Sequence, residues 1–96
     1  MKIEFTNENG VLNVSLDGRL DTNSAPEFEA FIQENCNKID ALNIDCTNLI
    51  YVSSAGLRVL LFAQKKMLGT MKLKNVCELV MEVFEMTGFS DILTIE

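Results

Sequence analysis

The sequence predicts an α/β domain with a mixed sheet and its helices mainly on one face. Three observations predict it: an opening hairpin of two alternating strands, a regular exchange of helix-period and strand-period segments after it, and a length of 96 residues that suits one domain. A chain of this size buries roughly two-thirds of the surface it exposes when unfolded, enough for a core without metals or disulfides. Residues 1–96 are therefore read as one domain of about five strands and three long helices.

Lys2-Ile3-Glu4-Phe5-Thr6 and Leu12-Asn13-Val14-Ser15-Leu16-Asp17 both alternate polar and apolar, and Asn7-Glu8-Asn9-Gly10 between them carries hairpin-turn chemistry. Gly18-Arg19-Leu20-Asp21-Thr22-Asn23 reads as an exit loop. Ser24-Ala25-Pro26-Glu27 has capping-box spacing, so a helix should start there, with Ala25, Phe28, Phe31, Ile32 and Cys36 on its core face and Glu27, Ala30, Gln33 and Glu34 opposite. Ala41-Leu42-Asn43-Ile44-Asp45-Cys46 alternates as a strand, and Thr47-Asn48-Leu49-Ile50 reads as the loop that follows it.

The next stretch, Tyr51-Val52-Ser53-Ser54-Ala55-Gly56-Leu57-Arg58-Val59-Leu60-Leu61, runs from an apolar approach through small residues into a helix. Leu57, Leu60, Leu61, Gln64 and Leu68 form the expected core stripe, while Ala55, Val59 and Phe62 make a second apolar strip beside it. Ser54, Arg58 and Lys65 are the narrow polar face that remains. Either neighbouring elements flank this helix on both sides, or the second strip is a docking surface for another protein. Leu68-Gly69-Thr70 closes the helix, and Met71-Lys72-Leu73-Lys74-Asn75 alternates as a strand with both lysines outward. Over Glu78 to Thr87, Leu79, Val80, Val83 and Phe84 centre on one side and Glu78, Glu82 and Glu85 on the other. Gly88 is placed to end that helix, Phe89 to pack back on it, and Ile92-Leu93-Thr94-Ile95 to form a short final strand.

Composition narrows the function. A net charge of −6 leaves no basic stripe of the kind that binds a phosphate backbone, so nucleic acid is not an expected partner. The start lacks a hydrophobic signal-peptide core, and Arg58 breaks the longest apolar run well short of a membrane span; a cytoplasmic protein without membrane insertion is expected. Cys36, Cys46 and Cys77 are widely spaced, no histidine accompanies them, and they read as buried reduced thiols rather than a zinc or redox site.

Enzyme chemistry lacks its parts. A serine at a strand-to-helix turn is where a hydrolase nucleophile would sit, but no histidine exists to act as base and the flanking residues do not give G-x-S-x-G. Neither a P-loop nor G-x-G-x-x-G occurs, so no cofactor is expected. The glutamates fall on solvent faces. What the Ser53–Gly56 segment does offer is small side chains, two hydroxyls and the positive end of a helix, which together admit a close partner and tolerate negative charge. A serine there can equally be a plain helix cap.

Tyr51-Val52-Ser53-Ser54-Ala55-Gly56-Leu57 resembles the motif of STAS domains, in particular bacterial anti-sigma-factor antagonists, in which an aromatic-aliphatic-Asp-Ser-Ser/Thr-Gly-Leu segment opens a helix. Gly18-Arg19-Leu20-Asp21 is similar to that family's G-x-L-D segment, and Phe84-Glu85-Met86-Thr87-Gly88-Phe89 to its F-D-M-S-G-L. The three matches come in the family's order and span nearly the whole chain. The resemblance implies a STAS-like fold and a partner-switching protein that does no catalysis itself. Its unmodified form would bind an anti-sigma factor that is also a serine kinase; phosphorylation at Ser54 would break the complex and a serine phosphatase would restore it.

Ser53 stands where the family has aspartate, and Ala55 replaces the second hydroxyl residue, so the acceptor is kept and its acidic neighbour is lost. The implied contact surface comprises Asp21, Ser53, Ser54, Ala55, Gly56, Arg58, Val59 and Phe62. The alternative within the same family is a non-phosphorylated subunit of a lipid-transport complex or a small-ligand sensor, in which Ser54 would only cap the helix.

Overall fold

Asn9 (φ 53°) and Gly10 (φ 81°) both take left-handed backbone, the pair of angles a tight two-residue hairpin needs if its strands are to keep their right-handed twist. In the computed structural model, which describes residues 1–96, they join β1 (Lys2–Glu8) to β2 (Val11–Leu20) in antiparallel register, with Glu8 opposite Val11 and Lys2 opposite Asp17. The Gly10 carbonyl then accepts the N–H of Asp40 at 2.7 Å, just before β3 (Ala41–Val52) begins its parallel pairing with β2. Helix α1 (Ala25–Asn35) fills that crossover, and α2 (Ser54–Lys66) fills the next, leading to β4 (Met71–Lys74) parallel to β3. Helix α3 (Glu78–Thr87) and a 3-10 turn at Phe89–Asp91 complete the chain.

The strand order is β1-β2-β3-β4, a mixed sheet as expected. Its two faces differ by residue type. Leu12, Val14, Leu16 and Leu20 of β2, Leu42, Ile44 and Cys46 of β3, and Met71 and Leu73 of β4 are buried beneath the helices. Asn13, Ser15, Asn43 and Lys72 alternate with them on the uncovered face, where the Asn43 amide donates to Asn13 Oδ1 at 3.1 Å. Phe28 and Ile32 of α1, Leu57, Leu60 and Ala63 of α2, and Val80 and Phe84 of α3 close the core from above.

Two segments read as loops are strand. β2 continues through Gly18 to Leu20, keeping Leu20 on the same face as Leu12, Val14 and Leu16, so the exit loop shrinks to the turn at Asp21–Ser24. β3 continues through Thr47–Ile50 because it carries two bulges: Ser15 pairs with Asp45 but Asp17 with Asn48, and Gly18 with Leu49 but Arg19 with Tyr51. Each extra residue reverses the alternation, so Cys46, Leu49 and Val52 all face the core at spacings of three and the pattern no longer looks like a strand. Asp45 holds the first bulge. Its Oδ1 accepts from the Thr47 hydroxyl (2.6 Å), the Thr47 N–H (3.0 Å) and the Asn75 amide (3.1 Å), and these bonds keep the carboxyl below its usual pKa.

Other expectations shift for local reasons. Ile92–Ile95 makes no fifth strand; it contributes one parallel bridge, Ile95 to Leu73. Ser24 makes no side-chain cap, because its backbone is already helical and its hydroxyl turns to the Arg19 carbonyl. On α1, Phe31 is half-buried, its ring set edge-on against Phe5 with centroids 5.0 Å apart. The floor of α2 is Gly56, Leu57, Val59, Leu60, Ala63 and Met67; Leu61 and Gln64 are half-buried, and Leu68, left-handed at φ 51°, leaves the helix axis and is 88% exposed. On α3, Val80 and Phe84 are buried as expected, Val83 is half-buried and Leu79 is 57% exposed. Cys36 and Cys46 are buried free thiols, with burial pushing the Cys46 thiol up to about 12, whereas Cys77 is only half-buried. No helix is long and apolar enough to cross a membrane.

This division of α3 is testable by urea unfolding. Phe84→Ala should cost on the order of 3–5 kcal/mol, as a fully buried aromatic does, while Leu79→Ala should stay within about 0.5 kcal/mol. Equal costs would show that the buried face is wrongly assigned.

Candidate functional site

The site begins at the C-terminal end of β2. The Leu20 carbonyl accepts the N–H of Ser53 at 2.9 Å, which ties the last residue of β2 to the residue that opens α2. Gly56 lies directly on the same carbonyl: a Cβ there would come within 2.7 Å of both Leu20 O and Leu20 Cγ. Only glycine lets the first turn of α2 settle this deep. Val59, one turn further, is buried as well, at 5% exposure.

Ser53 and Ser54 divide two roles. Ser53 has extended backbone (φ −94°, ψ 177°), and its Oγ accepts the Gly56 N–H at 3.5 Å, so Ser53 is the N-cap. Aspartate and serine are both strong caps, which explains how serine can occupy the position where the family motif has aspartate without loss of the helix start. Relative to that motif, serine places no negative charge beside Ser54. Ser54 is the first helical residue; it is exposed, and its hydroxyl takes part in no hydrogen bond within the chain.

Asp21 follows Leu20 and so reaches the same end of the sheet. Its Oδ1 accepts from the N–H groups of Asn23 (3.0 Å) and Ser24 (3.2 Å), and the Ser24 hydroxyl accepts the Asp21 N–H at 3.0 Å while donating to the Arg19 carbonyl at 2.7 Å. Arg19 Nε lies 3.8 Å from Asp21 Oδ2, and its guanidinium sits over the Tyr51 ring, 4.2 Å from the centroid. Desolvation raises the Asp21 pKa, but the bonds from Asn23 and Ser24 and the charge of Arg19 outweigh it and hold the carboxyl below its ordinary 3.8.

Two clefts flank this turn. One, of about 330 Å³, runs between α1 and α2 and is lined by Thr22, Ala25, Pro26, Glu29, Ala55, Arg58 and Val59. The other, of about 490 Å³, is lined by Met1, Gly18, Arg19, Asp21, Asn23, Ser24, Glu27 and Ile50. Of the residues singled out from sequence, Ala55, Arg58 and Val59 therefore meet in the first cleft and Asp21 in the second, while Gly56 is buried beneath them. The apolar strip is corrected in part: Val59 is cleft floor rather than exposed surface, and Phe62 is half-buried outside the cleft lining. Thr22, Pro26 and Glu29 escaped the sequence reading because they meet α2 only through the pairing of two helices distant in sequence; the sole local signal was the second apolar strip on α2, which asked for a neighbour.

The STAS domain model matches residues 2–96 of the chain. The chain belongs to the STAS domain family. It is 33% identical over 99 residues to BtrV of Bordetella bronchiseptica, named as a candidate anti-sigma factor antagonist, covering 99% of this chain and 85% of that protein. It is 32% identical over 92 residues to the anti-sigma-B factor antagonist of Bacillus subtilis, covering 93% and 84%. The crystal structure of an anti-sigma factor antagonist from Mycobacterium paratuberculosis superposes with a TM-score of 0.86 at 23% identity, covering 98% of this chain and 83% of that one, and shows the shared fold. The STAS fold expected from the three sequence motifs is thus the fold found.

Two measurements check the site's construction. Gly56→Ala, which in an ordinary helix would stabilise, should here destabilise by about 1–3 kcal/mol in urea unfolding, because the methyl group meets backbone. A stabilised variant would show that α2 is not held against Leu20. Asp21, with its folded pKa below 3.8, contributes stability that is complete above the unfolded value and is lost as pH falls through the folded one. Asp21→Asn should therefore flatten the acid limb of the stability profile below about pH 4; an unchanged limb would refute the turn's role.

Proposed function

We propose that the protein is an anti-sigma factor antagonist that works by partner switching. The unmodified form binds an anti-sigma factor through the end of the sheet where Ser54, the Asp21 turn and the α1–α2 cleft meet, and phosphorylation of Ser54 by that partner's kinase activity releases it. A serine phosphatase reverses the step. The observation that carries this reading is the division between the two serines: Ser53 does the capping, so Ser54 stands exposed and unbonded at the first turn of α2. The relatives' names as anti-sigma factor antagonists support it from the side of the family. A reading in which Ser54 serves only as a cap loses its support, since that place is taken.

The physical basis of release is charge. A phosphate on Ser54 adds about −1.5 to −2 charges at neutral pH, and the positive end of α2 tolerates them locally. A partner docking over it must desolvate a dianion, and Asp21, on the same end of the sheet, adds like-charge repulsion. A loss of only about 3 kcal/mol weakens binding more than a hundredfold.

Ser54→Asp should keep the circular dichroism spectrum of the parent and bind the anti-sigma factor poorly, whereas Ser54→Ala should bind and resist labelling by the kinase. Tight binding by Ser54→Asp, or label mapped to Ser53 with Ser54 untouched, would sink the reading.

A further inference from the structure

The α1–α2 cleft contains one cation, and that cation is unpaired. Arg58 is exposed and belongs to none of the chain's ion pairs, which join Lys2 to Glu4, Arg19 to Asp21 and Lys72 to Glu96. Glu29, on the opposite wall, is unpaired as well. Arg58 follows Ser54 by four residues on α2, so the two side chains occupy the same face on successive turns. Helical side chains lean toward the N-terminus, so the turn that Ser54 begins is within reach of the Arg58 side chain. Its planar fork of donors matches a phosphate better than any other side chain does.

On the reading that Ser54 is the phosphoacceptor, we propose that Arg58 is the internal receptor of the Ser54 phosphate, and that its capture strips the cleft of its cation. In the unmodified protein the guanidinium is free, and a partner that covers the cleft must supply an acceptor for it, because a charge buried without a partner is costly. The matching group on the anti-sigma factor is a carboxylate. Once Ser54 is phosphorylated, Arg58 turns to the phosphate and Glu29, unpaired throughout, is the one formal charge still free in the cleft, facing that carboxylate with like sign. Release then has two components: the dianion on the first turn, and the loss of the anchor one turn away.

The test needs no kinase. Phosphoserine is incorporated at position 54 during synthesis, and the phosphate is titrated by phosphorus NMR in the otherwise unaltered protein and in Arg58→Gln and Arg58→Lys variants. With Arg58 present the phosphate pKa should lie about half a unit lower than in Arg58→Gln, with Arg58→Lys between them. Agreement of the parent and Arg58→Gln within about 0.1 unit overturns the pairing. In the unphosphorylated protein, Arg58→Gln should weaken anti-sigma factor binding by about thirtyfold or more while the unfolding midpoint stays unchanged. Undiminished binding overturns the anchor role. Kinase label found away from Ser54 would defeat the phosphoacceptor reading on its own and leave the titration result standing, so the two failures are distinguishable.

Discussion

One carbonyl oxygen organises the end of the molecule that carries the candidate site. Leu20 O takes the Ser53 N–H and at the same time supports Gly56, so the first turn of α2 is fixed at the place where β2 stops. Because β2 and β3 run parallel, both strands leave the sheet at the same C-terminal end, the usual position of functional groups in parallel sheets. Asp21 follows one partner of that hydrogen bond and Ser54 follows the other. Neither could be moved without breaking a contact that tolerates no side chain on one of its members.

Where the strands obey strict alternation the sequence is easy to read, and where bulges intervene it is not. The hairpin, the start of β3 and the lysine-flanked β4 announce themselves by period two. Past Cys46 the inward residues fall at intervals of three, which in a single sequence resembles neither a strand nor a helix. Gly18 misled for a related reason: a glycine before Arg19-Leu20-Asp21 suggests a turn, yet β2 continues as strand to Leu20, with the second bulge of β3 opposite Gly18 and Arg19. The exposed Leu68 and Leu79 show the opposite error. Helical spacing placed them inward, but Leu68 lies past the helix end in left-handed backbone and Leu79 is more than half exposed.

The site was legible to the extent that it is local. Ser53, Ser54, Ala55 and Gly56 belong to a contiguous motif, and their geometry follows from a helix that starts where the motif places it. The requirement for glycine at 56 was visible only as a preference for small residues, because the atom that enforces it belongs to Leu20, thirty-six residues earlier. Thr22, Pro26 and Glu29 depend on how α1 packs beside α2, and no spacing within either helix specifies that. The removal of one acidic side chain at 53 becomes intelligible only when its hydroxyl is seen to hold the Gly56 N–H.

The carbonyl of Gly10 does more than close a turn. By receiving Asp40 it fixes the first point at which β3 can meet β2, and the partners it brings together, Val11 and Ala41, stand thirty residues apart. Closing a loop of that length costs about 3 kcal/mol in chain entropy beyond a constant, whereas the hairpin forms from neighbours. The turn at Asn9–Gly10 is therefore the point where the local pairing of the hairpin meets the long-range pairing of β2 with β3. The Ser53–Gly56 turn lies at the far end of the same strand pair, so the two ends of β2 and β3 are pinned by one carbonyl each, Gly10 at the start and Leu20 at the finish.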